Sequence, residues 1–156
     1  EKKIIDEEYK EGIYVGYRWT DAKKLKPLFP FGYVLSYTTF KLGKAVANTQ
    51  ELTPNTQITI TVPVTNTGNR AGSETVQLYI AAKDSKVERP VKELKAFQKV
   101  YLQPGETRNV TLTIGKDALS YYDEMSGQWR ADAGKYEAQI GTASNKLSTN
   151  YTFRQK

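Results

Sequence analysis

Four runs of alternating apolar residues constrain this chain more than any other feature. They are Ile58, Ile60, Val62 and Val64; Val76, Leu78 and Ile80; Val110, Leu112 and Ile114; and Tyr136, Ala138 and Ile140. A period of two sends successive side chains to opposite faces of a strand, so each run predicts one face in a core and one toward solvent. Turn signals separate the runs: Asn66 to Gly72 (NTGNRAG), Pro104-Gly105, Ser126-Gly127 and Ala133-Gly134. About seven short strands with such spacing predict a β-sandwich. The length of 156 residues suits one such domain with a short extension, and a core of that size needs no metal or disulfide.

Several local features qualify the pattern. Pro63 interrupts a good strand, which predicts an edge strand or a bulge there. Leu94 to Leu102 is apolar on both faces, with Leu94, Val100 and Leu102 on one side and Phe97 and Tyr101 on the other. A strand of that kind is expected to touch a second body. Lys116 to Leu119 predicts one helical turn with Asp117 as a cap. At the start, Glu1 to Lys10 reads as a polar lead-in carrying Ile4, Ile5 and Tyr9. Ile13, Val15 and Tyr17 alternate as in a short strand. Pro27 and Pro30 bracket an extended segment, so Trp19 to Phe31 is read as a crossing segment anchored by Leu28, Phe29 and Phe31.

The inventory removes whole classes of chemistry. There is no cysteine and no histidine, so disulfides, thiolate nucleophiles, a Ser-His-Asp triad and a His-based zinc site are all excluded. The net charge of +6 arises from 23 basic and 17 acidic residues. The charges are interspersed, and the denser clusters (Lys23, Lys24 and Lys26; Lys2 and Lys3) read as solvated lysines rather than a nucleic-acid surface. No apolar run is long enough to span a membrane, and the charged N-terminus shows no signal peptide, as expected of a fragment of a longer chain. Neighbouring carboxylates occur at Asp6, Glu7 and Glu8 and at Asp123 and Glu124. On an extended chain neighbours point to opposite faces, so these read as surface charge rather than an acid/base pair or a metal site. No cofactor or metal is expected. Aromatic rings can stack on sugar faces, and the candidate platforms are Trp19 with Tyr17 and Trp129 with Tyr121 and Tyr122. The competing reading makes these rings core or interdomain anchors. Arg18 needs a partner, because an unpaired buried cation is costly.

Ordered blocks along the chain carry a family resemblance. Glu11 to Asp21 reads EGIYVGYRWTD and Pro27 to Phe40 reads PLFPFGYVLSYTTF. Val64 to Tyr79 reads VTNTGNRAGSETVQLY, Arg89 to Phe97 reads RPVKELKAF, and Val100 to Val110 reads VYLQPGETRNV. LSYYDE at Leu119 to Glu124, Trp129, and GKYEAQIG at Gly134 to Gly141 complete the series. Together they resemble the C-terminal part of glycoside hydrolase family 3 enzymes of the β-glucosidase type. The likeness runs from the end of an α/β-sandwich domain into a fibronectin type III-like domain. One departure is visible: Tyr33 and Val34 stand where the family usually has histidine and glycine, and a valine favours β backbone.

The resemblance implies an all-β, immunoglobulin-like sandwich over 33–156, preceded by a remnant of the α/β domain and its crossing segment over 1–32. Family members of this type are retaining glycosidases with two catalytic carboxylates. The nucleophilic aspartate lies in an N-terminal barrel and the acid/base glutamate lies upstream of the VGYR strand, so neither falls on this chain. The expected function is a non-catalytic structural domain of a β-glucosidase or β-xylosidase that stabilises the domain arrangement and shapes the substrate cleft. Its expected partners are the barrel and α/β domains, with Tyr14, Tyr17, Arg18, Phe29, Phe31 and Phe97 as interdomain contacts. A second reading is a carbohydrate-binding module for polysaccharide, with Trp19, Trp129, Tyr121 and Tyr122 as stacking residues. No nucleic acid or membrane is expected, and the family implies a secreted or periplasmic location. Without its partner the extension exposes Ile13, Tyr14, Phe29 and Phe31, which predicts disorder, folding back onto the sandwich or docking on another chain.

Overall fold

A computed structural model describes residues 10–156. The lead-in residues Ile4, Ile5 and Tyr9, the lysines Lys2 and Lys3, and the carboxylates Asp6, Glu7 and Glu8 lie outside the described residues. Two sheets form the body. In the first, β4 (Ile58–Asn66) is central. It pairs along its length with β7 (Thr107–Ile114) and on its other side with β1 (Phe40–Leu42) and β2 (Val46–Ala47). The second has the order β3 (Glu51–Leu52), β11 (Lys146–Gln155), β10 (Gly134–Ala143), β5 (Gly72–Ala82) and β6 (Glu93–Leu102). A small hairpin, β8 (Tyr121–Asp123) with β9 (Gln128–Arg130), belongs to neither sheet.

The alternating runs face each other across the core. Ile58, Ile60, Val62, Val64, Val110, Leu112 and Ile114 come from one sheet. Val76, Leu78, Ile80, Tyr136, Ala138, Ile140 and Phe153 come from the other. Each fully buried aliphatic side chain contributes roughly 1.5–3 kcal/mol relative to exposure. The fold is therefore the predicted all-β sandwich, with eleven strands among the described residues where about seven were expected. The extra ones are mostly two or three residues long.

Four local expectations are corrected. First, β4 is the central strand of its sheet, neither an edge nor bulged. Pro63 is tolerated because it sits opposite the break between β1 and β2. There only its carbonyl is used, accepting the Gly43 N–H at 2.8 Å. Second, Leu94 does not share a face with Val100 and Leu102. The β5–β6 register shifts, so that Leu78 faces Ala96 but Tyr79 faces Leu94, which leaves Lys95 as the extra residue. Third, Ile13 to Tyr17 is not a strand. Residues 10–13 form a turn, Gly16 (φ 64°) breaks the extended run, and Tyr17–Ala22 is a short helix, α1. Fourth, Lys116–Leu119 is a 3-10 turn, but the Asp117 side chain does not cap it; its main-chain carbonyl accepts the Ser120 N–H instead.

Of the three fates predicted for the extension, the described part takes folding back. It crosses the outer face of the five-stranded sheet. Gly32 (φ 82°) lies so close over Gln77 that a Cβ would come within 2.2 Å of its amide nitrogen. The Phe31 carbonyl accepts the Ser144 N–H at 2.8 Å, and farther on Thr38 donates to Asn66 at 2.7 Å. Among the described residues the first strand begins at Phe40. Val34 keeps negative-φ backbone, since Lys24 alone among the described non-glycine residues has φ above zero.

A candidate interdomain face and two aromatic clusters

The extension attaches through one aromatic and a group of ions. Tyr17, the first residue of α1, packs on Phe31 (ring centroids 5.3 Å apart) and meets Tyr79 edge-on at 5.6 Å. Its hydroxyl accepts the Leu94 N–H at 2.7 Å. Tyr79 points to the outer face, yet it is fully buried, with Tyr17 of α1 packed against its ring. Burial pushes its phenol pKa up, and its hydroxyl donates to Gln77 at 2.5 Å. Lys92 is buried, pairs with Asp21 of α1, and lies 5.7 Å from the Tyr79 ring. Arg18 pairs with Glu93 at 3.2 Å, and the Tyr14 hydroxyl donates to Glu88 at 2.8 Å. Arg18 thus finds its partner within the chain.

Glu93 stands among three cations: Arg18, Arg89 at 2.9 Å and Lys95 at 3.5 Å. Burial alone would push its carboxyl up, but Lys95, Arg89 and Arg18 together hold it below the ordinary 4.5. Lys95 is pushed down, chiefly by burial; Glu93 opposes this, while Arg89 and Arg18 reinforce it. The surrounding cations thus outweigh burial at Glu93, whereas burial outweighs the carboxylate at Lys95. A carboxyl whose folded pKa is depressed contributes stability above its unfolded value and loses it as pH falls through the folded value. The unfolding free energies of wild type and Glu93→Gln should therefore differ by a constant amount from pH 8 to about 5 and converge below about 4.5. Parallel urea-unfolding curves down to pH 3 would contradict this.

The outer side of the same extension is apolar and open. Leu28 is 92% exposed, Phe29 76%, Val34 70%, Leu35 83% and Tyr37 89%. Phe97 and Tyr101, on the outer face of edge strand β6, are exposed beside it. Phe97 pairs with Gln77, the residue beneath Gly32, so the β6 rings and the crossing segment are neighbours. Of the residues singled out as interdomain contacts, Tyr14, Tyr17 and Arg18 are engaged within the chain, Phe31 is half engaged, and Phe29 and Phe97 stay open.

The aromatics singled out for sugar stacking do not form the expected platforms. Trp19 is half-buried beneath the Lys23 ammonium at 4.9 Å, and it shares no ring contact with Tyr17. Tyr121 turns away from Tyr122 and Trp129: it pairs with Arg130, carries the Arg89 guanidinium 5.5 Å over its ring, and donates to Asp132 at 3.0 Å. Tyr122 and Trp129 do meet, edge to face, with centroids 5.8 Å apart at 69°. Asp123 is a turn former, accepting from the Met125 N–H, Ser126 and Arg130. One concavity, about 280 Å³, is an open groove on β10 and β11 lined by Glu137, Gln139, Leu147, Ser148, Thr149 and Asn150. Among the described residues no group of three or more acidic side chains is placed to hold a metal ion.

Sequence reasoning missed Tyr79, Lys92, Glu93 and Asp21 as the seat of the extension. A signal was present. Leu78 to Ala82 (LYIAA) is apolar on its outer face as well as its inner one, which a sheet face open to water does not need.

Comparison with known proteins finds similar segments within longer proteins. Residues 74–144 match the family described as fibronectin type III-like domain. A β-glucosidase of Bacteroides ovatus is 48% identical over 149 residues, covering 96% of this chain and 20% of its own length. The crystal structure of a β-glucosidase from Kluyveromyces marxianus in complex with glucose superposes with a TM-score of 0.88 at 45% identity, over 95% of this chain and 18% of that one. A β-glucosidase from Thermotoga neapolitana gives 0.84 at 38% identity, over 94% and 20%. The chain spans about a fifth of the length of the curated relatives it matches.

Proposed function

The chain belongs to glycoside hydrolase family 3, as a C-terminal fibronectin type III-like part, and on that premise we propose that it is a non-catalytic docking domain of a β-glycosidase acting on β-glucosides or β-xylosides. The observation that supports this best is the exposed row Leu28, Phe29, Val34, Leu35 and Tyr37 on the crossing segment. Contiguous apolar surface of that kind marks an interaction site. The underside of the same segment is fixed to the sandwich, so the row is presented on a rigid base. Its partners are the catalytic barrel and α/β-sandwich domains of the parent enzyme. The domain holds their arrangement and shapes the cleft entrance, while the carboxylates that cleave the glycosidic bond reside in those partners. The same reading carries a secreted or periplasmic location for the parent.

A chimera tests the proposal. With this chain in place of the matching fifth of the Bacteroides ovatus relative, the enzyme should hydrolyse aryl β-glucosides, and the chain alone should not. Leu28→Asp combined with Phe29→Asp should lower the chimera's inactivation temperature by roughly 5 °C or more while leaving the melting of the isolated chain unchanged, because the lost burial lies between domains. Hydrolysis by the chain alone would overturn the proposal. So would a chimera indifferent to the two charges.

A further inference from the structure

The β8–β9 hairpin has two unlike faces. Directly opposed residues share a face, so Tyr121 and Arg130 lie on one side and Tyr122 and Trp129 on the other. The first side is tied to the body through Arg89 and Asp132. The second carries two open rings: Tyr122 is 53% exposed and Trp129 72%. Their edge-to-face packing makes a corner with the indole as one wall and the phenol as the other. The tip beyond is fixed by Asp123, which takes three side-chain hydrogen bonds, and by Gly127 (φ 65°), whose N–H reaches the Asp123 carbonyl at 2.8 Å. Open aromatics on a fixed turn are preorganised for a ligand, because little conformational freedom is lost on binding.

We propose that the Tyr122–Trp129 corner is a carbohydrate-binding site that takes one pyranose unit of a β-linked glucan or xylan. The inference rests on the glycosidase reading for its ligand class. An equatorially substituted sugar ring presents an apolar face of axial C–H groups, which stacks on the indole while the ring edge meets Tyr122. Hydroxyls around the ring then face a hydrophilic tip, where Glu124 and Ser126 are exposed. A protein partner is disfavoured by size. A stable interface needs roughly 800 Å² per side, and beyond these two rings Met125 is the one other exposed apolar side chain of the hairpin. The site differs from a flat polysaccharide platform: a corner of two rings inclined at 69° holds a single ring rather than a run of them.

Affinity electrophoresis of the full 156-residue chain in gels containing barley β-glucan, xylan or starch tests this. Retardation is expected in β-glucan or xylan and not in starch. Trp129→Ala should raise the dissociation constant about tenfold or more. Trp19→Phe should leave it unchanged, and circular dichroism should show both variants folded. Absence of retardation in every gel overturns the inference, as does a Trp129→Ala variant retarded like wild type. Equal retardation in starch overturns the β-linked specificity. The chimera is scored by hydrolysis and heat stability and this test by retardation of the chain itself, so either reading can fail without the other.

Discussion

Gly141→Ala is expected to destabilise this domain by about 3 to 4 kcal/mol, more than an ordinary core truncation of one methyl group. Gly141 lies on β10 opposite Leu147, and the β10–β11 register shifts on both sides of it. A Cβ there would stand 2.0 Å from the Lys146 carbonyl oxygen and 2.8 Å from the Leu147 Cα. Both are backbone atoms, so no side-chain rotation relieves the clash and the Ala143–Lys146 turn must move. That movement reaches further. Gln77 donates its amide to the Thr142 carbonyl at 3.2 Å, and the Ser144 N–H holds the Phe31 carbonyl of the extension. The constraint is space rather than backbone conformation, since Gly141 has no left-handed φ. Gly115→Ala is the matched control. Its φ is −111°, and the nearest atom to a Cβ would be 3.9 Å away, so a change within about 0.5 kcal/mol is expected. Thermal unfolding should separate the two by roughly 10 °C. Equal melting temperatures would mean that the turn is free to shift.

Asn66→Ala should cost about 3 kcal/mol by a different route. Asn66 is fully buried at the end of β4, and its amide makes four hydrogen bonds. The oxygen accepts from the Thr38 hydroxyl at 2.7 Å and the Gly68 N–H at 3.0 Å. The nitrogen donates to the Arg70 carbonyl at 2.8 Å and the Leu102 carbonyl at 3.1 Å. One side chain thus joins the crossing segment, the β4–β5 loop and the edge strand β6. Truncation strands several buried polar groups, and each unsatisfied one costs about 1–3 kcal/mol. Asn66→Asp should do no better, because it replaces the two donated bonds with a buried charge facing two carbonyl oxygens. Urea unfolding measures both, and an Asp variant as stable as wild type would refute the assignment of the four bonds.

Neither effect is visible in the sequence. Asn66 and Gly141 read there as a turn residue and a strand residue. The core is a different matter: every residue of the four alternating runs is buried in it, because burial on one face of a strand is a local, two-residue periodicity. Periodicity fails where register shifts. Leu94 carries the parity of Val100, yet the extra residue at Lys95 moves it to the outer face beside Tyr17. It fails again at Pro63, where a central strand accommodates a proline because two short strands leave a gap beside it. The aromatic candidates divide in the same way. Composition named Tyr121, Tyr122 and Trp129 together, but strand pleat places Tyr121 on the anchored face and leaves a corner of two.

The sandwich and its inner faces were legible in the residues alone, since they follow from local periodicity and turn chemistry. The seat of the extension was not legible there and came from the folded arrangement. The contacts that seat it join Tyr17 to Leu94, Asp21 to Lys92 and Arg18 to Glu93, separations of 77, 71 and 75 residues. A pairing across such a distance is fixed by the three-dimensional path of the sheet that brings the partners together. No spacing along the chain encodes it.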